Sequence, residues 1–205
     1  MGAVLLLSAA SAAQTWEIGA AVGTGIYRNA TITGSTGSAQ AGMENAIAPG
    51  LVVCDNMYEH VSGEFRYLYQ SGHPFLSQGS IKGTMPGESH TFVYDVLIHF
   101  RPRGSWWRPY VAAGAGVKGY MAPGPAPVPE ALPKSALLLA NNQWEFAGSA
   151  GAGIKVKVQE HVLLRLDVRD YITPFPKKQI SPATGASVSG LLQQITPMGG
   201  VSIVF

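Results

Sequence analysis

The connections between predicted strands constrain the fold more than any other feature of this sequence. Eight segments alternate apolar and polar residues with period two, which indicates β-strands: residues 15–28, 46–55, 60–70, 89–101, 108–121, 143–158, 161–173 and 194–205. The connections after the odd-numbered segments are long and rich in Gly, Ser, Thr and Pro: residues 29–45, 71–88, 122–142 and 174–193. The connections after the even-numbered segments are short: residues 56–59, 102–107 and 159–160.

Strict alternation of long and short connections has a geometric consequence. In an up-and-down antiparallel barrel, it places every long loop at one end and every tight turn at the other. Outer-membrane barrels are typical of this arrangement, whereas four long loops without secondary structure are uncommon in a compact soluble domain. Most segments also exceed the roughly 9 to 11 residues that a tilted strand needs to cross a bilayer. The sequence therefore predicts an all-β fold, an eight-stranded antiparallel up-and-down transmembrane β-barrel.

The polar faces of these segments carry charges of both signs in similar numbers. On a lipid-facing surface, each Arg or Lys near the bilayer midplane would cost about 2 to 4 kcal/mol. Inside a narrow barrel, the same side chains can form ion pairs and hydrogen bonds. We therefore predict a polar interior that is filled by side chains. The predicted lumen charge network consists of Glu17, Glu64, Arg66, Asp95, Lys118, Glu145, Lys155, Lys157, Arg165, Asp167 and Arg169.

Aromatic residues collect near both ends of the predicted strands. Two such belts are typical of membrane barrels, because amphipathic rings lie at the level of the lipid headgroups. The belt at the short-turn end is predicted to contain Trp16, Trp106, Trp107 and Tyr110. The belt at the long-loop end is predicted to contain Tyr67, Tyr69, Phe92, Trp144, Phe146 and Tyr171.

A G-x-G-x-x-G motif at residues 114–119 raises the alternative of a nucleotide site. Such a site needs a helix directly after the third glycine, because the helix N-terminus holds the pyrophosphate. The next residues include Pro123, Pro125, Pro127 and Pro129, which exclude a helix there. We therefore predict that these glycines lie within a strand, face the crowded barrel interior and leave room for the Arg and Lys side chains opposite.

Charge and cysteine content exclude further classes of protein. A net charge of +2, without a long run of Lys or Arg, argues against a nucleic-acid partner. Cys54 is the single cysteine and has no nearby cluster of metal ligands, so we predict neither a metal nor a cofactor.

Residues 1–13 resemble a signal peptide, although no basic residue precedes Arg28, and a short buried strand or helix is the alternative. Residues 14–205 are predicted to form the barrel domain.

Three stretches, residues 108–117, 164–171 and 200–205, carry a resemblance to a known family. In these stretches the chain resembles the small bacterial outer-membrane β-barrel proteins, the OmpA/OmpX/OmpW-like group. The resemblance implies an integral location in the bacterial outer membrane and contact with its lipid and lipopolysaccharide. It also implies a C-terminal insertion signal that the barrel-assembly machinery reads during biogenesis, formed by Val201, Ile203 and Phe205. We expect a monomer.

The predicted function is non-enzymatic, with long extracellular loops that serve surface binding, adhesion or membrane integrity. Eight strands leave no continuous water channel, although a narrow path for small solutes stays open as an interpretation. Lys177 and Lys178 in the last long loop are candidate contacts for lipopolysaccharide phosphates.

Two alternatives to this function remain at the level of sequence. An enzyme that acts on outer-leaflet lipid needs a nucleophile and a base within hydrogen-bond reach of each other. The candidates at the long-loop end are Ser71, His73, Ser77, Ser80, Glu88, Ser89 and His90. A soluble lipocalin-like carrier would need the opposite polarity, with apolar residues inside the barrel and polar residues outside.

Overall fold

The computed structural model describes residues 16–34, 37–188 and 190–205. These residues form fifteen strands: β1 (Trp16–Arg28), β2 (Ala30–Gly34), β3 (Gly37–Met43), β4 (Ala46–Asp55), β5 (Val61–Gln70), β6 (Pro74–Gln78), β7 (Ile81–Thr84), β8 (Glu88–His99), β9 (Trp107–Met121), β10 (Ala136–Leu138), β11 (Gln143–Gln159), β12 (Val162–Pro174), β13 (Ile180–Pro182), β14 (Ser187–Val188) and β15 (Leu191–Val204). None of the described residues belongs to a helix long and apolar enough to cross a membrane. The predicted signal peptide, residues 1–13, lies outside the described residues.

Eight of these strands close into one antiparallel barrel in the order β1-β15-β12-β11-β9-β8-β5-β4. Strand β1 pairs with β15 on one side and with β4 on the other, so the barrel has no free edge. Each predicted segment corresponds to one barrel strand, although the last strand begins at Leu191, three residues before the predicted start. The predicted fold class is confirmed.

The two faces of the barrel strands differ as the alternation predicts. On β12, the outward Leu164 and Leu166 are 40 % and 52 % exposed, whereas the inward Arg165 and Asp167 are 1 % and 6 % exposed. A continuous outer surface of exposed Leu, Val, Ile and Phe is stable only where acyl chains cover it. The polarity is therefore that of a membrane barrel and is opposite to the polarity that a lipocalin-like carrier needs.

The G-x-G-x-x-G motif lies entirely within β9, and β9 continues past it to Met121. A Cβ atom at Gly116 would meet the carbonyl oxygen of Phe92 in the neighbouring strand β8. The glycine therefore permits close approach of two strand backbones, which a narrow and strongly coiled barrel requires. At Gly151 a Cβ atom would meet the backbone carbonyl oxygen of Val168 and also Cδ of Arg169 at 2.7 Å, so the expected reason, room for charged side chains opposite, applies there together with close backbone approach.

The long connections are not structureless, as the sequence suggested, but contain β-structure of their own. Strands β14, β2, β3, β6 and β7 form a five-stranded sheet in that order, and β10 pairs with β13. We call these seven strands the loop platform. Each strand is only two to seven residues long and is separated from the next by Gly, Ser or Pro, so a period-two signal is too short to be recognised in the sequence.

An apolar core holds the loop platform together. It contains eleven buried residues: Ala30, Ile32, Ala39, Ala41, Leu76, Met85, Leu132, Ala136, Leu138, Phe175 and Ile180. All four long connections contribute to this core. No single connection could bury enough apolar surface alone, and the barrel brings the four together at one end, so the core exists only in the folded barrel.

Candidate functional site

The centre of the barrel holds a charge-balanced cluster of buried side chains, which we call the lumen cluster. Its acidic members are Glu17, Glu64, Asp95 and Asp167, and its basic members are Arg66, Lys155, Arg165 and Arg169. Alternation brings each of them to the inner face of its strand. Four negative and four positive groups neutralise one another, which lowers the large cost of taking charges out of water.

Glu64 on β5 is the hub of the lumen cluster. Its Oε1 accepts hydrogen bonds from Nη2 of Arg66 at 2.9 Å and from Nη2 of Arg169 at 3.1 Å. Its Oε2 accepts a short hydrogen bond from Arg165. Because β5 and β12 are not neighbours in the barrel, the two arginines of β12 reach Glu64 across the lumen. These bridges tie opposite walls of the barrel together.

The remaining members complete the network around this hub. Arg66 donates a bidentate pair of hydrogen bonds to the Asp167 carboxylate, both at 2.9 Å, and Tyr110 Oη donates to Asp167 Oδ2 at 3.0 Å. Arg169 Nη1 donates to Asp95 Oδ2 at 3.0 Å. Bidentate, charge-assisted pairs are the strongest and most geometrically specific of protein hydrogen bonds.

The salt bridges of Glu17 extend the lumen cluster toward the short turns. Arg165 Nη1 donates to Glu17 Oε1 at 2.8 Å, and Lys155 Nζ donates to the other oxygen. Cys54 is buried beside them, with its Sγ 3.5 Å from Lys155 Nζ.

Three predicted members of the network lie apart from the lumen cluster. Lys118 is buried nearer the long loops and donates to Tyr27 Oη at 2.8 Å and to Gln194 Oε1, with the rings of Tyr27 and Tyr120 beside its ammonium. Glu145 is half-buried, and its carboxylate accepts from Gln143. Lys157 is exposed at the short-turn end. Alternation indicates the face of a residue correctly but does not give its height in the barrel, so Glu145 and Lys157 lie near the ends.

An apolar layer lies between Lys118 and the lumen cluster. It consists of Ala48, Leu68, Val93, Ala147, Tyr171 and Met198. Side chains thus occupy the lumen at successive heights: the charged lumen cluster, the apolar layer and the polar layer around Lys118. This stacking is what an eight-stranded barrel allows, because its interior is only wide enough to be filled by side chains.

Eight of the ten aromatic residues predicted for the two belts lie on the outer face of the barrel. Trp16 and Trp106 are 49 % and 66 % exposed at the short-turn end, and Trp144 and Phe146 are 53 % and 65 % exposed at the long-loop end. Phe92 packs between Tyr67 and Trp144: its ring centroid lies 4.9 Å from that of Tyr67 and 6.2 Å from that of Trp144. Two residues of the predicted belts are buried inside the barrel instead: Tyr110 and Tyr171. Both fall on the inward parity of their strands, which outweighs their position near a strand end.

The candidate catalytic residues are only partly brought together. His73 lies 3.7 Å from Glu44, and Ser89 Oγ lies 3.4 Å from Tyr27 Oη inside the barrel. Among the described residues, no serine hydroxyl forms a hydrogen bond with His73 or His90, so the Ser–His pairs considered from the sequence do not form. The described residues also contain no group of three or more His, Cys, Asp or Glu side chains that could hold a metal ion.

His90 lies between Glu88, the acid considered with it from the sequence, and Tyr67, which the sequence did not indicate as a partner. Its Nδ1 lies 2.9 Å from Tyr67 Oη, and its Nε2 lies 3.5 Å from Glu88 Oε1. Tyr69 Oη donates to the second Glu88 oxygen at 3.0 Å. A carboxylate, an imidazole and a phenol are thus connected in series on the outer surface at the long-loop end. Cross-strand pairing of Tyr69 with His90 creates this row, and a register cannot be read from either segment alone.

A closed antiparallel sheet, an apolar exterior and an ionic interior together define a membrane-spanning β-barrel of the outer-membrane class. Solved structures similar to it include the following two. Neisserial surface protein A (NspA) is 12 % identical with a TM-score of 0.55, and the match covers 93 % of this chain and 97 % of that one. The N-terminal β-barrel domain of OprF from Pseudomonas aeruginosa is 15 % identical with a TM-score of 0.52, and the match covers 94 % of this chain and 98 % of that one.

These likenesses show a shared fold. No protein-family model and no curated protein sequence matches this chain. The chain is a small eight-stranded β-barrel of the kind found in the bacterial outer membrane, and the predicted location agrees with its fold and its exterior.

Proposed function

We propose that this protein is a non-enzymatic, monomeric integral protein of the outer membrane whose loop platform binds molecules outside the cell. In such barrels the short turns generally face the periplasm and the long loops face the exterior of the cell. The apolar wall supports contact with membrane lipid. The outward Val201, Ile203 and Phe205, each about half exposed, support recognition of the last strand by the barrel-assembly machinery during biogenesis.

The core of the loop platform is the observation that carries the proposal. Ordering a loop backbone costs about 1 to 2 kcal/mol per residue, and here a shared core that buries Ile32 and Leu76 completely offsets this cost before any partner binds. A preorganised surface loses less entropy on binding. Loops on a rigid scaffold are also common sites of recognition. A prefolded platform on a barrel therefore favours a binding role.

The filled lumen supports binding over transport. The lumen cluster, the apolar layer and the layer around Lys118 occupy the barrel axis in succession. A general pore would need more strands to leave an aqueous channel. We therefore expect no steady conductance from this barrel in planar bilayers.

The test compares the whole protein with a trimmed barrel. Replacing residues 29–45, 71–87, 122–142 and 175–190 with short Gly-Asn turns removes the platform. A second variant, Ile32→Glu, disrupts only the platform core, and barrel integrity is checked by heat-dependent gel mobility. Cells that express each form are applied to arrays of glycans and extracellular-matrix proteins. We expect at least one probe to bind the native form and neither variant. Equal binding by all three forms would refute the proposal.

The exposed Lys177 and Lys178 support contact of the fourth loop with lipopolysaccharide phosphates. The backbone around them is fixed, because Gln143 Oε1 accepts from the Lys178 amide at 2.7 Å and Asn141 donates to the Lys178 carbonyl at 3.2 Å. Replacing both lysines with glutamate should weaken binding of the purified protein to vesicles that contain lipopolysaccharide. Unchanged binding would end this part of the proposal.

The series Glu88–His90–Tyr67 favours a second candidate function, modification of outer-leaflet lipid. A carboxylate that orients an imidazole, which in turn contacts a hydroxyl, is the arrangement that activates nucleophiles. Its position beside Phe92 and Trp144, two residues of the predicted belt at the long-loop end, supports a location at the membrane interface. Mass spectrometry of lipid A from cells with the native protein, His90→Ala or Tyr67→Phe distinguishes the candidates. A modified species lost in both variants supports the enzyme, whereas identical lipid A in all strains supports the binding role.

A further inference from the structure

The mouth of the barrel at the short-turn end holds a cationic pocket that the proposed function does not use. The pocket has a volume of about 60 Å³, and Arg103, Arg108, Lys157 and Glu160 are among its lining residues. We call it the mouth pocket. Arg108 and Lys157 lie on the inward parity of β9 and β11, and Arg103 and Glu160 belong to the short turns that close over them.

The charges of the mouth pocket are not balanced. Among the lining residues, three cations stand against one carboxylate, and although the Glu59 carboxylate lies beside the pocket, no carboxylate of the described residues lies within ion-pair distance of any of the three cations. Arg108 is only 6 % exposed, yet its guanidinium donates to neutral oxygens alone: the carbonyls of Arg101 and Glu59 and the side-chain oxygen of Asn56, at 3.1 to 3.4 Å.

Arg103 adds an unused donor to the mouth pocket. Its backbone amide donates to Glu59 Oε2 at 3.0 Å, but its side-chain Nε is buried and has no hydrogen-bond partner among the described residues. Buried donors are normally satisfied, so an exception in a native structure needs an explanation, and a bound ion is one of them.

In the lumen cluster, by contrast, carboxylates neutralise the buried cations. There, each of the four cations contacts at least one carboxylate. The residues that line the mouth pocket carry an excess of two positive charges; Arg108 is the buried cation among them, and a buried charge that contacts no carboxylate is unfavourable. An anion from outside the chain would supply the missing charge.

We infer that the mouth pocket binds a phosphate dianion, either inorganic phosphate or a phosphate monoester. Two negative charges match the excess, and arginine forks match the geometry of phosphate oxygens. The volume of about 60 Å³ is also small enough to suit a single compact anion. This inference does not depend on the loop platform.

The test is a titration of the refolded, isotope-labelled protein in zwitterionic detergent micelles with inorganic phosphate, at constant ionic strength and pH 8. Amide resonances of residues 103–105 report binding. We expect saturable shifts, weaker shifts with the monoanion acetate, and a dissociation constant raised about tenfold or more by Arg103→Gln or Lys157→Gln, because each removes a charge-assisted contact.

Arg101→Gln is the matched control. Arg101 and Arg103 both lie in the short turn after β8, but the Arg101 guanidinium stacks over the Trp107 ring on the outside, 4.1 Å from the ring centroid. It should leave phosphate binding unchanged. Because the two test variants change a turn and an exposed side chain, heat-dependent gel mobility should confirm that both fold.

The source of the phosphate is decided by a second arm without added phosphate, in which nanodiscs of phosphatidylcholine alone are compared with nanodiscs that also contain phosphatidic acid, whose headgroup is a phosphate monoester. Headgroup-induced shifts of the same amides, lost in Arg103→Gln, would support the site with a lipid as its ligand. Shifts only with free phosphate would support a soluble ligand. Linear, non-saturating shifts, or equal weakening by Arg101→Gln, would overturn the inference.

Discussion

Glu64 offers a direct test of how the barrel is held together. Its side chain is fully buried and contacts the guanidinium groups of Arg66, Arg165 and Arg169. The substitution Glu64→Gln keeps the size of the side chain and removes its charge. The lumen cluster would change from four carboxylates and four cations to three carboxylates and four cations.

The size of the effect follows from this imbalance. At an effective dielectric constant near 20, one pair at 4 Å contributes about 4 kcal/mol of Coulomb energy. Breaking a buried pair by removal of one partner destabilises proteins by about 3 to 5 kcal/mol, because the remaining charge is left buried. We therefore expect Glu64→Gln to lower the free energy of unfolding by about 3 to 5 kcal/mol.

The assay is reversible urea unfolding of the protein in phospholipid vesicles, followed by tryptophan emission and by the fraction that migrates as folded on unheated gels. Glu88→Gln is the matched control, because it makes the same chemical change on a carboxylate that is 30 % exposed at the outer surface. Exposed pairs contribute only about 0 to 1 kcal/mol, so this control should change the free energy of unfolding little.

A double variant tests the reason for the loss. Adding Arg165→Met to Glu64→Gln restores equal numbers of positive and negative groups in the lumen cluster. The double variant should be more stable than the sum of the two single changes predicts, with a coupling of about 0.5 to 3 kcal/mol. Additive losses, or a Glu64→Gln effect no larger than that of Glu88→Gln, would refute the charge-balance explanation.

Three further outcomes are expected. Gly116→Val should prevent barrel assembly and abolish the heat-dependent mobility shift, because the added side chain meets the β8 backbone, while Ala115→Val, which faces outward, should be tolerated. A photo-probe dissolved in lipid should label Leu166 and spare Arg165, and the reverse labelling would contradict the assigned polarity. Phe205→Ala should leave more unassembled, protease-sensitive chain in the periplasm, and normal assembly would show that the terminal ring is not needed.

Local periodicity made the barrel predictable. Because side chains alternate across a strand, the sequence around Leu164 and Arg165 indicates which residues share a face without knowledge of the neighbouring strand. The lengths of the connections indicate the order of up and down strands. The position of the G-x-G-x-x-G motif within a strand was predictable for the same kind of reason, because the prolines after it exclude a helix through their own backbone.

Errors arose where a property depends on position along the barrel axis or on several loops at once. Tyr110 and Tyr171 lie near strand ends but point inward, and Lys157 has inward parity but extends past the lumen cluster into the mouth. The loop platform was missed because its strands are short and its core is shared by four distant connections.

The sequence by itself determined the number of strands, the two faces of the barrel and the end at which the long loops lie. Only the tertiary structure decided that Arg66 meets Asp167 across the lumen, that His90 lies between Tyr67 and Glu88, and that three cations converge at the mouth. The physical reason is one of range. Alternation is a property of each strand, whereas contacts between strands depend on register, tilt and closure, which the whole barrel sets together.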